Sequence, residues 1–584
     1  MSCPAYLSAM YRIILTFMFF TWSVIGSTQT RSTLYLTNAK VVDVESGTIS
    51  EPSTIWIEEG KIKRIVKNLS IPPSARQIDV QGGFVIPGMI DAHVHFFQSG
   101  GLYTRPDAID LTHIKPYNDE RWWLYDNFED LARRYLRAGV TTVYDMGGPF
   151  TNFDLRDRAT ANAFLPTLKV TGPLLSTYQP EAFEIDDSPI IKVRNEQDAI
   201  SLIRDQARFK PDFIKVWYID TPDEPAASNF NLVKAIVKES HRLQLKVAVH
   251  ATELETAKLA VRAGADFLVH SVSEPIDSAF IELLKKNKVS LIPTLTVRQG
   301  YVNTLTQQPK ITEVDHLIAN PYVLNSMFDY RMLEDARVTL KYVKDRMEKR
   351  KVRYAQEDSI QKQNLLRLYR AGVVIGAGTD AGNIGTHHGS SYHAELSAMN
   401  SAGLSPMEVL KCATINAAKI LNLDDDLGTI EKGKVADLCI LNADPTKNVV
   451  HPSDIQYVIK NGLPIAADSI LPTSPSELVQ RQLVAYNARD IDAFLSVYSD
   501  SVKIYSIDGE LLMDGKPAMR ERYSELFKKS PELHCELVDR MVFGNIVIDQ
   551  EFVRGLREQS VEALAVYTIA DGAISIVRFI KKEK

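Results

Sequence analysis

The strongest constraint on how this chain can fold is a rhythm in its middle. Between about residues 84 and 420, eight short apolar runs of β type alternate with stretches of helical periodicity. The runs are FVIPGMIDAHVH, VTTVYDM, LKVTG, DFIKVWYI, KVAVH, DFLVH, VSLIPT and VVIGAGTD. Strand-type runs separated by helical patterns such as NEQDAISLIRDQARF and ELETAKLAVRAG predict a parallel α/β sheet. Eight of them are the number that closes a (β/α)8 barrel of the TIM type. The connection from the seventh run to the eighth, residues 295–372, is much longer than the others and carries helical patterns of its own. It is expected to overhang one end of the barrel as a lid, with its Lys/Arg run forming a solvated helix face.

In such a barrel the reacting groups sit at the C-terminal ends of the strands. His93 and His95 stand two apart at the end of the first run, behind Gly88 and Asp91, so both rings face the same side of a strand. Lys215 lies inside the fourth run, His250 closes the fifth, His270 closes the sixth, and Asp380 follows the eighth. Each has an ordinary explanation when taken alone. A histidine that ends an apolar run is commonly a hydrogen-bonded structural residue, and a lone lysine can snorkel. Asp380, followed by Ala-Gly-Asn, can cap a helix. Together at strand ends, the imidazoles and the carboxylate form a transition-metal set for which zinc is the default ion.

The flanks carry less chemistry. The short strands of TLYLTNAKVVDVESG, STIWIEEGKIKRIVKN and ARQIDVQGGFVI are too few for a core, and KGKVADLCILNAD with IQYVIKNGLPI forms a second β patch far downstream. The two patches are expected to join as a composite β-sandwich, residues 30–84 with 422–468, around a barrel over 85–421. A Pro/Ser-rich linker, 469–475, leads to a unit of mixed helices and strands at 476–584. At the start, Arg12 precedes the apolar IILTFMFFTWSVIG, so residues 1–29 are expected to be a signal peptide and the protein exported to the periplasm or beyond. A retained N-terminal membrane anchor is the alternative, and no stable span is expected once the leader is removed. A chain of 584 residues exceeds one core, and its net charge of -6 gives no nucleic-acid footprint. Four cysteines in that length make no disulfide framework, and Cys412, Cys439 and Cys535 outside the leader leave at least one free thiol.

The text VIPGMIDAHVH, GVTTVYDMGG, DFIKVW, VAVHA, AGADFLVHSV, GAGTDAGN and the stretch from HAELSAMNSAGLSP to LCILNADP resembles the amidohydrolase superfamily, most closely its imidazolonepropionase-like and dipeptidase (prolidase) branch. The resemblance covers roughly residues 33–465 and implies the barrel with its composite sandwich. It implies that His93, His95 and Asp380 hold one Zn2+, that His250 and His270 hold a second, and that a carbamylated Lys215 bridges them. An unmodified ammonium has no lone pair for a metal. The implied reaction is hydrolysis of a C–N amide bond by a metal-activated hydroxide, with Asp380 passing a proton to the leaving nitrogen. Short peptides or small cyclic amides are the implied substrates, with a dipeptidase foremost and imidazolone-type ring opening or deamination next. A non-catalytic scaffold is the reading from another class. Tyr218, three residues beyond Lys215, is expected at the rim. His388, beside His387 in GNIGTHHGSS, is expected to touch a substrate carboxylate, with an ordinary loop role as the alternative for both.

The last 110 or so residues resemble the SnoaL-like fold, an α+β cone, through QLVAYNARDIDAFLSVYSDSVKIYSIDG, GKPAMRERYSELF and AVYTIADGAISIVRFI. Such cones often host no chemistry, so dimerisation or accessory ligand binding is expected of it, with Asp549, Glu551 and Tyr567 as pocket candidates.

Overall fold

A computed structural model describes residues 33–471, 473–556 and 559–581. The expected leader, residues 1–29, lies outside them. Parallel strands Met89–Val94, Val140–Asp145 and Thr167–Val170 pair in that order. A second parallel series runs Leu174–Ser176, Phe213–Trp217, Lys246–His250, Phe267–Val269 and Ser290–Ile292. The two series join because the third strand is broken: its first half, Thr167–Val170, pairs backward and its second half, Leu174–Ser176, pairs forward. The eighth run closes the circuit without forming a regular ladder. Leu291 donates to the Val374 carbonyl, Ala92 to that of Ala377, and Asp380 to that of His93. The barrel expected from the rhythm is therefore traced by hydrogen bonds through all eight runs.

Around it, helices supply the outer layer through apolar stripes spaced three and four apart. Phe128–Arg137 buries Phe128, Leu131, Ala132, Tyr135 and Leu136 against the barrel. Leu254–Ala263 buries Ala257, Ala260 and Val261 and stops at Gly264, whose φ of 102° gives the left-handed turn that ends a helix.

The composite sheet is one continuous piece of eight strands. Phe84–Pro87 pairs antiparallel with Leu438–Leu441, so the N- and C-terminal patches meet in the same ladder. Leu34–Val41 links the two halves. Its start pairs with Ser53–Glu58 and Arg76–Asp79, its end with Phe84–Pro87, and it is bulged between Leu36 and Ala39. Between the halves lies an apolar core that includes Leu36, Ile57, Val85, Leu438 and Ile459.

The first apolar run is thus two strands, and residues 85–87 belong to the composite sheet, not to the barrel. Gly88 makes the break. A Cβ there would come within 2.2 Å of the Thr141 hydroxyl, so only glycine lets the chain pass from one sheet into the other.

Residues 475–581 form the second body: helices Pro475–Ala488, Ile491–Ser496 and Gly515–Lys529 on a six-stranded mixed sheet. Its own core gathers Leu478, Phe494, Tyr498, Val547 and Ile574. It docks on the segment after the seventh barrel strand. Val484 packs with Ala319, Leu324 and Phe328, and Arg331 donates to the carbonyls of Asn487 at 2.9 Å and Leu533 at 3.3 Å. Cys412, Cys439 and Cys535 are all free and buried. Among the described residues, no helix is long and apolar enough to cross a membrane.

Candidate metal centre at the mouth of the barrel

The strand ends bring all six predicted residues to one place. His93 and His95 project from the end of the first barrel strand, with their Nε2 atoms 3.3 Å apart. Asp380 Oδ1 lies 3.2 Å from His93 Nε2 and 3.3 Å from His95 Nε2, and its Oδ2 lies 4.0 Å from His270 Nδ1. The His270 ring stands 5.0 Å from that of His93 and 4.4 Å from that of His250. One ligand atom from each of His93, His270 and Asp380 falls within a common 4.8 Å, a His/His/Asp metal-binding group. Lys215 is buried and lines the same cavity as His95, His250, His270 and Asp380.

The neighbours of these groups set their orientation. His95 Nδ1 lies 2.8 Å from the carbonyl of Gly147, which can only accept, so the proton sits on Nδ1 and the Nε2 lone pair faces Asp380. Asp145 fixes that carbonyl's turn by accepting from the amides of Gly147 at 3.0 Å and Phe96 at 3.1 Å. Asp91 joins the first run to the eighth. It accepts from the amides of His93 and Thr379 and from the Thr379 hydroxyl at 2.7 Å, one residue before Asp380. Asp380 and His270 have φ values of 61° and 77°, a left-handed backbone that is uncommon for side-chain-bearing residues.

Burial first, and neighbouring positive charge second, hold His93, His250 and His270 well below the ordinary imidazole range, and burial takes His95 down to about 3. The rings are therefore neutral, the form that binds metals. Burial lowers Lys215 against the pull of Asp380, and raises Asp380 against the pull of Lys215.

Two atoms are left over. His93 Nδ1 and Asp380 Oδ1 are buried without a hydrogen-bond partner. Such atoms are costly unless something else satisfies them. A carboxylate oxygen crowded against two imidazole nitrogens, with no proton shared between them, is an arrangement that a cation relieves. The donor set fits a divalent ion.

The cavity above these groups measures about 380 Å³. Its far wall comes from helices Val297–Leu305 and Arg337–Arg370, which bring Arg298, Tyr301, Arg346 and Arg350 over the mouth. The long connection does overhang the site. Its basic run is not only a solvated face, because Arg346 and Arg350, one turn apart, line the cavity. Near Asp380, Asn383 donates to the Asp380 carbonyl at 3.1 Å and accepts from Arg105 and, at 2.8 Å, from the Tyr301 hydroxyl. Asp107 holds Arg105 in two bonds of 2.7 and 2.6 Å.

Two expected substrate contacts fall elsewhere. Tyr218 is fully buried in the shell around the barrel, and its hydroxyl donates to the Ala226 carbonyl. Strand alternation explains this: Lys215 and Trp217 line the cavity, so Tyr218, an odd step further, does not. His388 has both ring nitrogens engaged, Nδ1 with the Tyr135 hydroxyl at 2.9 Å and Nε2 with the Gln98 carbonyl at 2.8 Å, and its ring stacks on Phe96. It braces the loop behind His95 and leaves no nitrogen for a substrate.

Sequence reasoning missed Arg105, Tyr301, Asn383 and the arginines of the long connection. Asn383 had a signal, three residues past Asp380 in GAGTDAGN, and the spacing of Arg346 and Arg350 was a second. Arg105 and Tyr301 had none.

The amidohydrolase family model matches residues 84–465, and a SnoaL-like domain model matches residues 479–577. The imidazolonepropionase of Vibrio cholerae serotype O1 is 24% identical over 462 residues, covering 73% of this chain and 94% of that protein. Among solved structures, a Xaa-Pro dipeptidase with methionine bound in its active site superposes with a TM-score of 0.56 at 23% identity, over 74% of this chain and 100% of its own. Molinate hydrolase superposes with a TM-score of 0.58 at 21% identity, over 76% of this chain and 96% of its own. At these identities the structural likeness shows a shared fold.

Proposed function

We propose that this chain, which belongs to the amidohydrolase family and carries a C-terminal SnoaL-like domain, is a dipeptidase. Family membership makes it a metal-dependent hydrolase of carbon–nitrogen bonds; the dipeptide substrate is our reading. The observation that carries the metal-dependent chemistry is the buried Asp380 oxygen, set 3.2 and 3.3 Å from two imidazole nitrogens with no hydrogen-bond partner of its own. The substrate class rests on the arginines of the cavity wall that have no ion pair among the described residues.

In this reading His93, His95 and Asp380 hold one zinc ion and His250 and His270 hold a second. Lys215, its amine carbamylated by carbon dioxide with loss of a proton, would supply carboxylate-type oxygens to the site. Its burial favours the neutral amine that this conversion requires. When bound, the ions supply Lewis acidity, bringing the pKa of water from about 15.7 toward 7 and polarising a carbonyl. Asp380, its carboxylate set against His93 and His95 at the cavity floor, would accept the water's proton and deliver it to the leaving nitrogen. Asn383, tied to Arg105 and Tyr301, fixes the backbone that carries Asp380. The two overhanging helices enclose a space of small-molecule size and keep bulk water away.

A dipeptide fits the wall opposite the carboxylate. Asp107 pairs Arg105 and Glu357 pairs Arg298, whereas Arg346 and Arg350 have no ion pair among the described residues and suit a free carboxylate. Cyclic-amide hydrolysis is the second reading, favoured by the imidazolonepropionase relative. The test is a panel of dipeptides and cyclic amides given to zinc-reconstituted protein, with products identified. Free amino acids support the dipeptidase, ring-opened acids the second reading, and ammonia a deaminase. Protein that binds no metal and turns over none of them would be a scaffold.

We also read the protein as exported, from its apolar leader, and as a homo-oligomer through the C-terminal domain. In support of the latter, strand His534–Phe543 leaves Met541 65% and Phe543 80% exposed.

A further inference from the structure

A second cavity, of about 420 Å³, lies between the barrel and the SnoaL-like domain, away from the metal centre. The barrel side contributes Tyr103 and Trp123, the overhanging segment Tyr322 and Asp329, and the C-terminal domain His534 and Glu536. Most of the polar groups around it are satisfied. Glu120 takes the Ser99 hydroxyl on one oxygen and the Lys115 ammonium on the other. Glu536 reaches Arg554 at 3.4 Å.

Two groups are not. Asp329 is 9% exposed, accepts one bond, from the Tyr103 hydroxyl at 2.8 Å, and has no cation within ion-pair distance among the described residues. Burial raises it to about 7. His534 is 1% exposed, and neither ring nitrogen has a partner. Burial, helped by the charges of Arg331, Arg554 and Arg489, takes it down to about 3, so the ring is neutral and carries one donor and one lone pair. Asp329 has only the more distant Lys115 ammonium, which Glu120 holds, and the His534 lone pair has no donor, so one ammonium N–H donor in the cavity would serve both. Protein interiors rarely leave such groups empty-handed. Tyr103 already faces the Lys115 ammonium, 5.3 Å from its ring centre, and Trp123 and Tyr322 suit a positive charge or an apolar body beside them.

We propose that this interdomain cavity binds a small organic ammonium compound, with its cation on Asp329, a hydrogen bond to His534, and its apolar body among Tyr103, Trp123 and Tyr322. The site is independent of the reaction proposed above.

The probe is 2-phenylethylamine, with 3-phenylpropionate as the anion of similar body, titrated into the full zinc-loaded chain by calorimetry and by tryptophan emission. The amine is expected to saturate with an affinity at least tenfold above that of the carboxylate. Asp329→Asn and His534→Gln are each expected to weaken it tenfold or more while keeping the wild-type melting temperature within a few degrees. Trp123→Phe is expected to remove the emission change but not the heat of binding. Because the amine can also enter the barrel, Asp380→Asn is the control and is expected to bind it as wild type does. Equal affinity for amine and carboxylate, no saturable binding, or undiminished binding by both Asp329→Asn and His534→Gln overturns the site.

Discussion

The mouth of the barrel and the interior of the C-terminal domain each bury a set of charged and polar side chains, and they treat them in opposite ways. In the C-terminal domain, apart from His534 at the interdomain cavity, the set around Arg540 and Glu551 closes on itself. Arg540 grips Asp549 in two bonds of 2.7 and 2.6 Å and also reaches the Ser476 carbonyl and Gln480. Tyr567 donates to Glu551 at 2.9 Å, and Asn487 pairs with both the amide and the carbonyl of Cys535. At the barrel mouth Asp380 and His93 keep buried atoms with no protein partner. A closed set holds a structure together, whereas an open one is completed by something the chain does not supply. By that criterion Asp549, Glu551 and Tyr567, expected to line a pocket, are bracing residues.

Substitutions on each side test the contrast. The largest effect is expected from Asp380→Asn, which keeps the shape of the side chain but cannot accept a proton. Turnover should drop by about 10²–10⁴-fold, while zinc content, read by atomic emission, changes much less. Wild-type turnover in that variant would remove Asp380 from the proton path.

Next is Arg540→Met, which leaves Asp549 charged and buried without its partner. Denaturant unfolding should show a loss of about 3–5 kcal/mol, with kcat on the best substrate unchanged. A fall in kcat with no loss of stability would reverse the roles of the two regions.

The smallest effect concerns pH. Burial raises Glu551 to about 7 despite the Tyr567 hydrogen bond. A carboxylic acid with a raised folded-state pKa contributes stability that is complete below the unfolded-state value of about 4.3 and is lost as pH climbs through about 7. Glu551→Gln should therefore gain on wild type by about 1–3 kcal/mol between pH 4 and pH 8, followed by unfolding midpoints at the two pH values. Parallel pH profiles would mean that Glu551 titrates in the folded protein as it does in the unfolded chain, with no upward shift from burial.

Much of this was legible because strand geometry is local. The eight runs gave the barrel, and their ends gave His93, His95, Lys215, His250, His270 and Asp380, since a residue's face and end position follow from counting along a strand. The same counting places Tyr218 outside the cavity, because it stands an odd step from Lys215. His388 could not be placed that way. Its nitrogens are taken by Tyr135, 253 residues away, and by Gln98, 290 residues away. Nor could Arg105 and Tyr301, which matter because Asn383 lies between them.

The sequence alone determined the architecture of repeating strands and helices and the chemical identity of the groups at their tips, because periodicity and residue type need no knowledge of distant neighbours. Only the tertiary structure decided which buried polar atoms are satisfied and which remain open. Saturation of a hydrogen-bonding group depends on partners brought together from remote parts of the chain, as when Asp91 bonds to Thr379, 288 residues on. The open atoms at the barrel mouth and at the domain junction are where ligand chemistry is expected.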